Sequence, residues 1–262
     1  MRAVDAGDLV VERKGQVAWV TFNRPDARNA MTFDMYDDLH DLCDQLDGDA
    51  EVRVIVVRGA GDKSFAAGTD IRQFLTFETR EDALGYEARI GRVLCRLAAL
   101  AKPTLAMVQG DAVGGGLFLS LACDLRFAAE HARFGAPVAR TLGNCTAPFS
   151  FTLLASTVGM VRAREILLRA RLVGVAEARQ IGLVDEVYPA AELEAKVAEQ
   201  AETLTGHAPL TMAAVKEATR RVRDRFALDD AEDIILSCYL SRDFKEGARA
   251  FLEKRRPNWR GV

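Results

Sequence analysis

Val113–Leu125 reads VGGGLFLSLACDL, three consecutive glycines between a strand-like run and a wholly apolar stretch. Leu117, Phe118, Leu119, Leu121 and Ala122 surround the following helix with apolar groups, which makes it a buried helix. The N-terminus of such a helix offers unpaired N–H groups and the positive end of its dipole. Gly114, Gly115 and Gly116 carry no side chains, so a ligand oxygen can approach those N–H groups closely. In the low dielectric of a buried site each donor counts for more. A tight turn with close helix packing explains the same triplet, and from these residues alone both readings stand. The spacing fits neither GxxxxGK[ST] nor GxGxxG, which excludes the usual nucleotide-phosphate loops. GAGDKS (Gly59–Ser64) has Asp62 where the first of those motifs needs glycine.

Outward from the triplet the chain alternates. TLAMVQG before it and DLRFAA after it read as strands, and ARFGAP follows. Upstream, QVAWVTF (Gln16–Phe22) is a strand, MTFDMYDDLHDLCDQL (Met31–Leu46) an amphipathic helix, and VRVIVVRG an apolar strand of the kind buried on both faces. A helix from about Glu81 to Ala101 stops at Lys102-Pro103. From about Ser150 the pattern is helical, interrupted by LVDEVYP. Strand–helix alternation of this kind predicts an α/β fold with largely parallel pairing and a C-terminal helical layer.

The bulk composition narrows the classes. Hydrophobic residues make up 49% of the 262 and the net charge is −3, which suits a soluble protein and gives no electrostatic case for nucleic acid or membrane partners. Five cysteines without a C-x-x-C pair point to reduced thiols in the cytoplasm. The start is too charged for a signal peptide, and no apolar run is long enough to span a bilayer. His40, His131 and His207 are scattered without ligand spacing, so no metal is expected.

SFAAGTDI (Ser64–Ile71) follows the apolar strand directly, and small residues there leave backbone N–H groups open at a strand's carboxyl end, where α/β folds bind ligands. An ordinary loop reads equally well. Two such loops can supply two N–H groups to one oxygen. FNRPDARNAM, FAAGTDI, VQGDAVGGG, ARFGAP, ARQIGLVDEVYP and KEGARAFLEKRRP occur in this order, and together they resemble the crotonase superfamily of enoyl-CoA hydratases and isomerases across nearly the whole chain. That resemblance implies a crotonase-type spiral of ββα units over residues 1–200 and a C-terminal helical oligomerisation region over residues 201–262. It also implies homotrimers, often paired into hexamers, and an acyl-CoA substrate, with coenzyme A part of the thioester and no separate cofactor. By the same resemblance the N–H groups of Thr69 and Gly115 form an oxyanion hole for an enolate, each donor worth about 3–4 kcal/mol in the transition state. Ala27, Ala67, Asp70 and Ile71 are the implied coenzyme A contacts, mostly through backbone; Arg28, Lys254 and Arg255 are candidate phosphate partners, with plain solvation of exposed basic residues as the alternative.

The departures from the family pattern concern the acid and base. Hydratases carry glutamates two residues after the glycine triplet and directly after FGxP; here those positions hold Phe118 and Val138, beside Leu117 and Ala139. Neither side chain can take up a proton, so the two-glutamate hydration and the one-glutamate isomerase pattern are both missing. Within ALGYEARIGRVLCRLAAL, Tyr86 and Glu87 lie on the stripe of Ile90, Val93, Leu94 and Leu97. A carboxylate at the edge of a buried face has a raised pKa, as a general acid or base requires. Glu87 is therefore the candidate proton carrier and Tyr86 its orienter or a proton donor. A salt-bridged glutamate at the helix's exposed end is the alternative. TLGNCT (Thr141–Thr146) is similar to the segment in which 4-chlorobenzoyl-CoA dehalogenases carry a nucleophilic aspartate, with Cys145 in that place, though no histidine is at hand to activate a thiolate. Thr141 and Asn144 can bond substrate or cap a helix beginning near Ser150. Non-standard hydration, isomerisation and decarboxylation all use a stabilised enolate; the alternative is a catalytically inactive acyl-CoA-binding homologue.

Overall fold

The computed structural model describes residues 7–226 and 231–262. In chain order, β1 (Leu9–Lys14) and β2 (Val17–Phe22) form a hairpin, and α1 (Phe33–Gly48) follows a 3-10 turn at Pro25–Ala27. Three ββα turns come next. The first is β3 (Val54–Gly59), β4 (Ser64–Ala66) and α2 (Arg80–Ala98), with a 3-10 helix at Ile71–Thr76; the second is β5 (Thr104–Val108), β6 (Asp111–Val113) and α3 (Gly115–Ala122). The third is β7 (Leu125–Ala129), β8 (Arg133–Gly135) and α4 (Val138–Thr141), after which α5 (Pro148–Val158) and α6 (Met160–Leu168) lead to the short β9 (Val173–Gly174), α7 (Val175–Gln180) and β10 (Glu186–Tyr188). The chain finishes with α8 (Leu193–Thr205), α9 (Pro209–Asp224), α10 (Glu232–Tyr239) and α11 (Arg242–Leu252).

Each turn sends its first strand to one sheet and its second to another. The larger sheet runs β1-β2-β3-β5-β7-β10 and is parallel from β2 onward; the smaller runs β4-β6-β8-β9. This is the ββα spiral that the resemblance to the crotonase superfamily implies. Strand periodicity divides the core between the two faces of the larger sheet. Val17, Trp19, Val54, Val56, Leu105 and Met107 face Leu193, Val197 and Ala201 of α8, while Ala18, Val20, Ile55, Val57, Ala106 and Val108 face the other way into the main core with α1, α2 and α3. Residue 200 falls inside α8, whose apolar face belongs to that sheet.

Local chemistry sets the helix bounds. Thr32 caps α1 by accepting from the Met35 N–H, and Thr79 with Asp82 forms a capping box that starts α2 at Arg80. LVVERK, which the helix-and-strand reading passes over, pairs antiparallel with β2. Val173–Gly174 adds a second interruption to the helical half by pairing with β8. Among the described residues no helix is long and apolar enough to cross a membrane.

Candidate active site

The three glycines answer three different demands. Gly114 takes φ 56°, a turn into α3 that a side chain resists. A Cβ on Gly116 would stand 2.0 Å from the Ala66 carbonyl oxygen, and one on Gly115 would stand 2.6 Å from the Tyr36 hydroxyl. The helix and the 66–69 loop are therefore in backbone contact. From Gly68, a Cβ would be 3.4 Å from the Gly115 nitrogen. Among the described residues neither the Thr69 nor the Gly115 N–H has a hydrogen-bond acceptor, although Met31 N–H donates to the Gly68 oxygen at 2.8 Å and Asp70 N–H to the Met31 oxygen at 2.9 Å. Two open amides thus come from adjoining loops, one at the N-terminus of a buried helix. Such a pair suits an oxygen on which negative charge develops.

Beside these amides three hydroxyls stand in a row. Tyr36 Oη is 3.0 Å from Thr69 Oγ1, which is 2.8 Å from Tyr86 Oη. Burial holds the Tyr36 and Tyr86 hydroxyls well above the usual tyrosine range, so both keep their protons. Glu87, next along α2, is 9% exposed and among the described residues has no cationic partner; its carboxylate accepts from the Tyr239 hydroxyl at 2.5 Å. Desolvation raises its pKa to about 7, against the smaller opposing effect of that hydrogen bond. Among the described residues Glu87 is buried and without a salt bridge, unlike the exposed, paired alternative. Asn144 Nδ2 donates to the same tyrosine oxygen at 3.1 Å, which leaves the Tyr239 proton to Glu87. Phe74, Phe77, Tyr86, Tyr239 and Phe244 enclose this corner with ring centroids 4.8–6.3 Å apart.

The orienter of Glu87 is Tyr239, a residue the sequence reading does not single out; Tyr86 turns to Thr69 instead. Tyr239 arrives on α10, so the C-terminal segment contributes to its own chain's site. No local signal marks it. Tyr36 carries one: a hydroxyl amid the α1 stripe of Met35, Leu39 and Leu42 requires a partner once buried. Cys145 lies beside Cys238, and the neighbouring thiol together with burial raises Cys145, while the same pairing lowers Cys238. Cys145 is thereby kept as a thiol rather than a nucleophilic thiolate. Thr141 donates to the Pro137 oxygen within α4, and α5 begins at Pro148 after Ala147 with no side-chain cap, so neither Thr141 nor Asn144 caps it.

The candidate coenzyme A contacts meet at one rim. Ala67 N–H donates to the Arg28 oxygen at 3.1 Å, which joins the Ala27–Arg28 turn to the 67–71 loop. Asp70 is committed to Arg72 at 2.5 Å and Arg24 at 3.2 Å, which together hold its carboxyl at about 2. Arg28 is exposed and takes φ 53° at the end of its 3-10 turn, with Ile71 half-buried opposite. Arg255 is taken up by Glu246 and Glu253, while Lys254 is exposed. Phe118 is 6% exposed on α3 and Val138 opens α4. Among the described residues no cluster of three or more histidines, cysteines and carboxylates is placed to hold a metal. A cavity of about 1110 Å³ lies elsewhere, against α5 and α9, lined by Leu121, Phe151, Met160, Val215, Val222 and Phe226. It contains none of the candidate groups.

Residues 12–262 match the model of the enoyl-CoA hydratase/isomerase family. The chain belongs to that family. It is 34% identical to the short-chain-enoyl-CoA hydratase of Clostridium acetobutylicum, over 97% of this chain and 97% of the relative. Among solved structures it is similar to a methylmalonyl-CoA decarboxylase in complex with 2-nitronate-propionyl-CoA, with a TM-score of 0.87 and 28% identity over 97% and 98% of the two chains. It is also similar to a monofunctional enoyl CoA isomerase from M. smegmatis, with a TM-score of 0.70 and 32% identity over 87% of this chain and 97% of that one.

Proposed function

We propose that the protein is an enzyme that removes and returns a proton beside the carbonyl of an acyl-CoA thioester, with double-bond isomerisation as the net reaction. The observation that carries this reading is Glu87, a buried carboxylate with a pKa raised to about 7, placed on the same helix turn as the tyrosine that reaches Thr69. A base poised near neutrality takes a proton readily and gives it back readily. The thioester oxygen rests on the Thr69 and Gly115 amides, and the coenzyme A moiety lies along Ala27, Arg28, Ala67, Asp70 and Ile71. Glu87 takes the proton from the α-carbon, the two amides hold the enolate, and Glu87 delivers the proton to the γ-carbon. Tyr239 keeps the carboxylate oriented through both transfers. Water addition on this scaffold needs a second carboxylate to hold the nucleophile, and Phe118 and Val138 supply none.

Decarboxylation is the second reading, supported by the likeness to a methylmalonyl-CoA decarboxylase. Loss of CO₂ generates the same enolate without a base, after which Glu87 serves as the acid. The apolar side chains around α9 fit self-association as a homotrimer or a pair of trimers.

Incubation with enoyl-, 3-hydroxyacyl- and malonyl-type CoA esters in deuterium oxide, followed by mass spectrometry, tests the proposal. Isomerised enoyl-CoA labelled at the γ-carbon, with deuterium at the α-carbon of ester that returns without isomerising, is expected, and Glu87→Gln should lower both by at least about tenfold. Release of CO₂ from the malonyl ester with no exchange in the others selects the second reading. Tight binding with no product and no exchange from any ester overturns both and leaves an acyl-CoA-binding homologue.

A further inference from the structure

Counting protons in the hydroxyl row shows that it has a direction. Tyr36, Thr69 and Tyr86 carry one O–H each, and the two contacts between them use two of the three protons. Tyr36 is fully buried, and among the described residues Thr69 Oγ1 is the partner of its hydroxyl. Water cannot reach it. If the row ran inward, from Tyr86 to Thr69 to Tyr36, the last proton would be sealed without an acceptor, an arrangement native structures avoid. The row therefore runs outward: Tyr36 donates to Thr69, Thr69 donates to Tyr86, and the free proton is on Tyr86 Oη. The Tyr86 ring is clamped by Phe33, Phe74, Phe77 and Tyr239, with centroids 5.0–5.9 Å away, so that proton has a fixed location beside the Thr69 peptide. Tyr36 Oη also presses on Gly115, since a Cβ there would lie 2.6 Å from it. One buried hydroxyl thus spaces both open amides and sets the polarity of the row.

We infer that Tyr36 is a positioning residue which, through Thr69, aims the Tyr86 hydroxyl at the thioester oxygen as a third donor beside the Thr69 and Gly115 amides. This rests on the proposed acyl-CoA reading and adds to it a residue that never meets the substrate. No bond is made or broken in the step: Tyr86 donates a hydrogen bond that strengthens as the enolate forms. Without the Tyr36 hydroxyl, Thr69 is no longer held as a donor to Tyr86, the contact runs in either direction, and the third donor loses its fixed aim although Tyr86 itself is intact.

The test uses the full chain with [1-¹³C]butyryl-CoA, whose carbonyl resonance reports polarisation of the bound thioester, and α-carbon deuterium exchange as the rate. In the wild type the carbonyl should move downfield on binding. Tyr36→Phe and Thr69→Val should each lose part of that displacement and slow exchange about tenfold, with half-saturation changed less than about twofold. The double variant should be no worse than either single one, because both break the same row. Thr69→Ser keeps the hydroxyl and should retain most of the displacement. A Tyr36→Phe protein that melts earlier but keeps the full displacement, or an effect that adds to that of Thr69→Val, overturns the row while the acyl-CoA reading stands. A wild type that neither binds nor polarises the ester overturns the reading and the row together.

Discussion

A methyl group on Gly115 meets the Tyr36 hydroxyl, whereas a methyl group on Gly116 meets the backbone oxygen of Ala66. The two substitutions are therefore unequal. Gly115→Ala should cost about 1–3 kcal/mol of stability, the range for overpacking a filled core, and Tyr36→Phe in the same chain should recover much of that loss by removing the obstructing oxygen. Gly116→Ala has no such rescue, because a carbonyl cannot be trimmed. Denaturant titration of the singles and the pair measures this directly, and equal losses with and without Tyr36→Phe would show that the hydroxyl is not what Gly115 avoids. Glu87 makes the second residue-scale case. It works as a base only when ionised, so kcat/KM should rise with pH through about 7 and then level. Tyr239→Phe removes a donor that favours the ionised form. The rising limb should then move to higher pH, a displacement that a pH–rate profile reads without any change of substrate.

At the scale of elements, α2 was the most legible part of the site. Its apolar stripe places Tyr86 and Glu87 on the buried side, and the helix delivers them there. The two donor loops were equally open to reading, because small residues at a strand's end and glycines at a helix start advertise free N–H groups. Tyr239 was not legible. It sits on α10, far along the chain, and nothing around it differs from an ordinary helix surface. Its role appears only when α10 packs on α2. Cys238 is hidden for the same reason, and Cys145 looked solitary only because its neighbour is remote in sequence. The hydrophobic pattern assigns a residue to the inside; which buried groups then touch depends on topology. β1 and β9 were missed on different grounds: β1 is edge-exposed and charged, and β9 is too short to show a period.

For the whole molecule, the C-terminal stretch is more than an appendage to the ββα spiral. Tyr239 and Phe244 join Phe74 and Ala83 in one buried cluster separate from the main core. Ending the chain after residue 230 should leave the spiral folded, since both faces of the larger sheet are filled by other elements, and should abolish exchange by exposing Glu87. Circular dichroism against α-carbon exchange separates the two. Retained exchange in the shortened protein would remove α10 from the site.

Glu87 and Tyr239 are 152 positions apart. A ribosome making this chain completes the sheets and both donor loops well before the tyrosine emerges. Until then Glu87 lacks both the hydroxyl that orients it and the cover of α10, so on the proposed reading a fragment released early should have the two donor loops without their poised carboxylate.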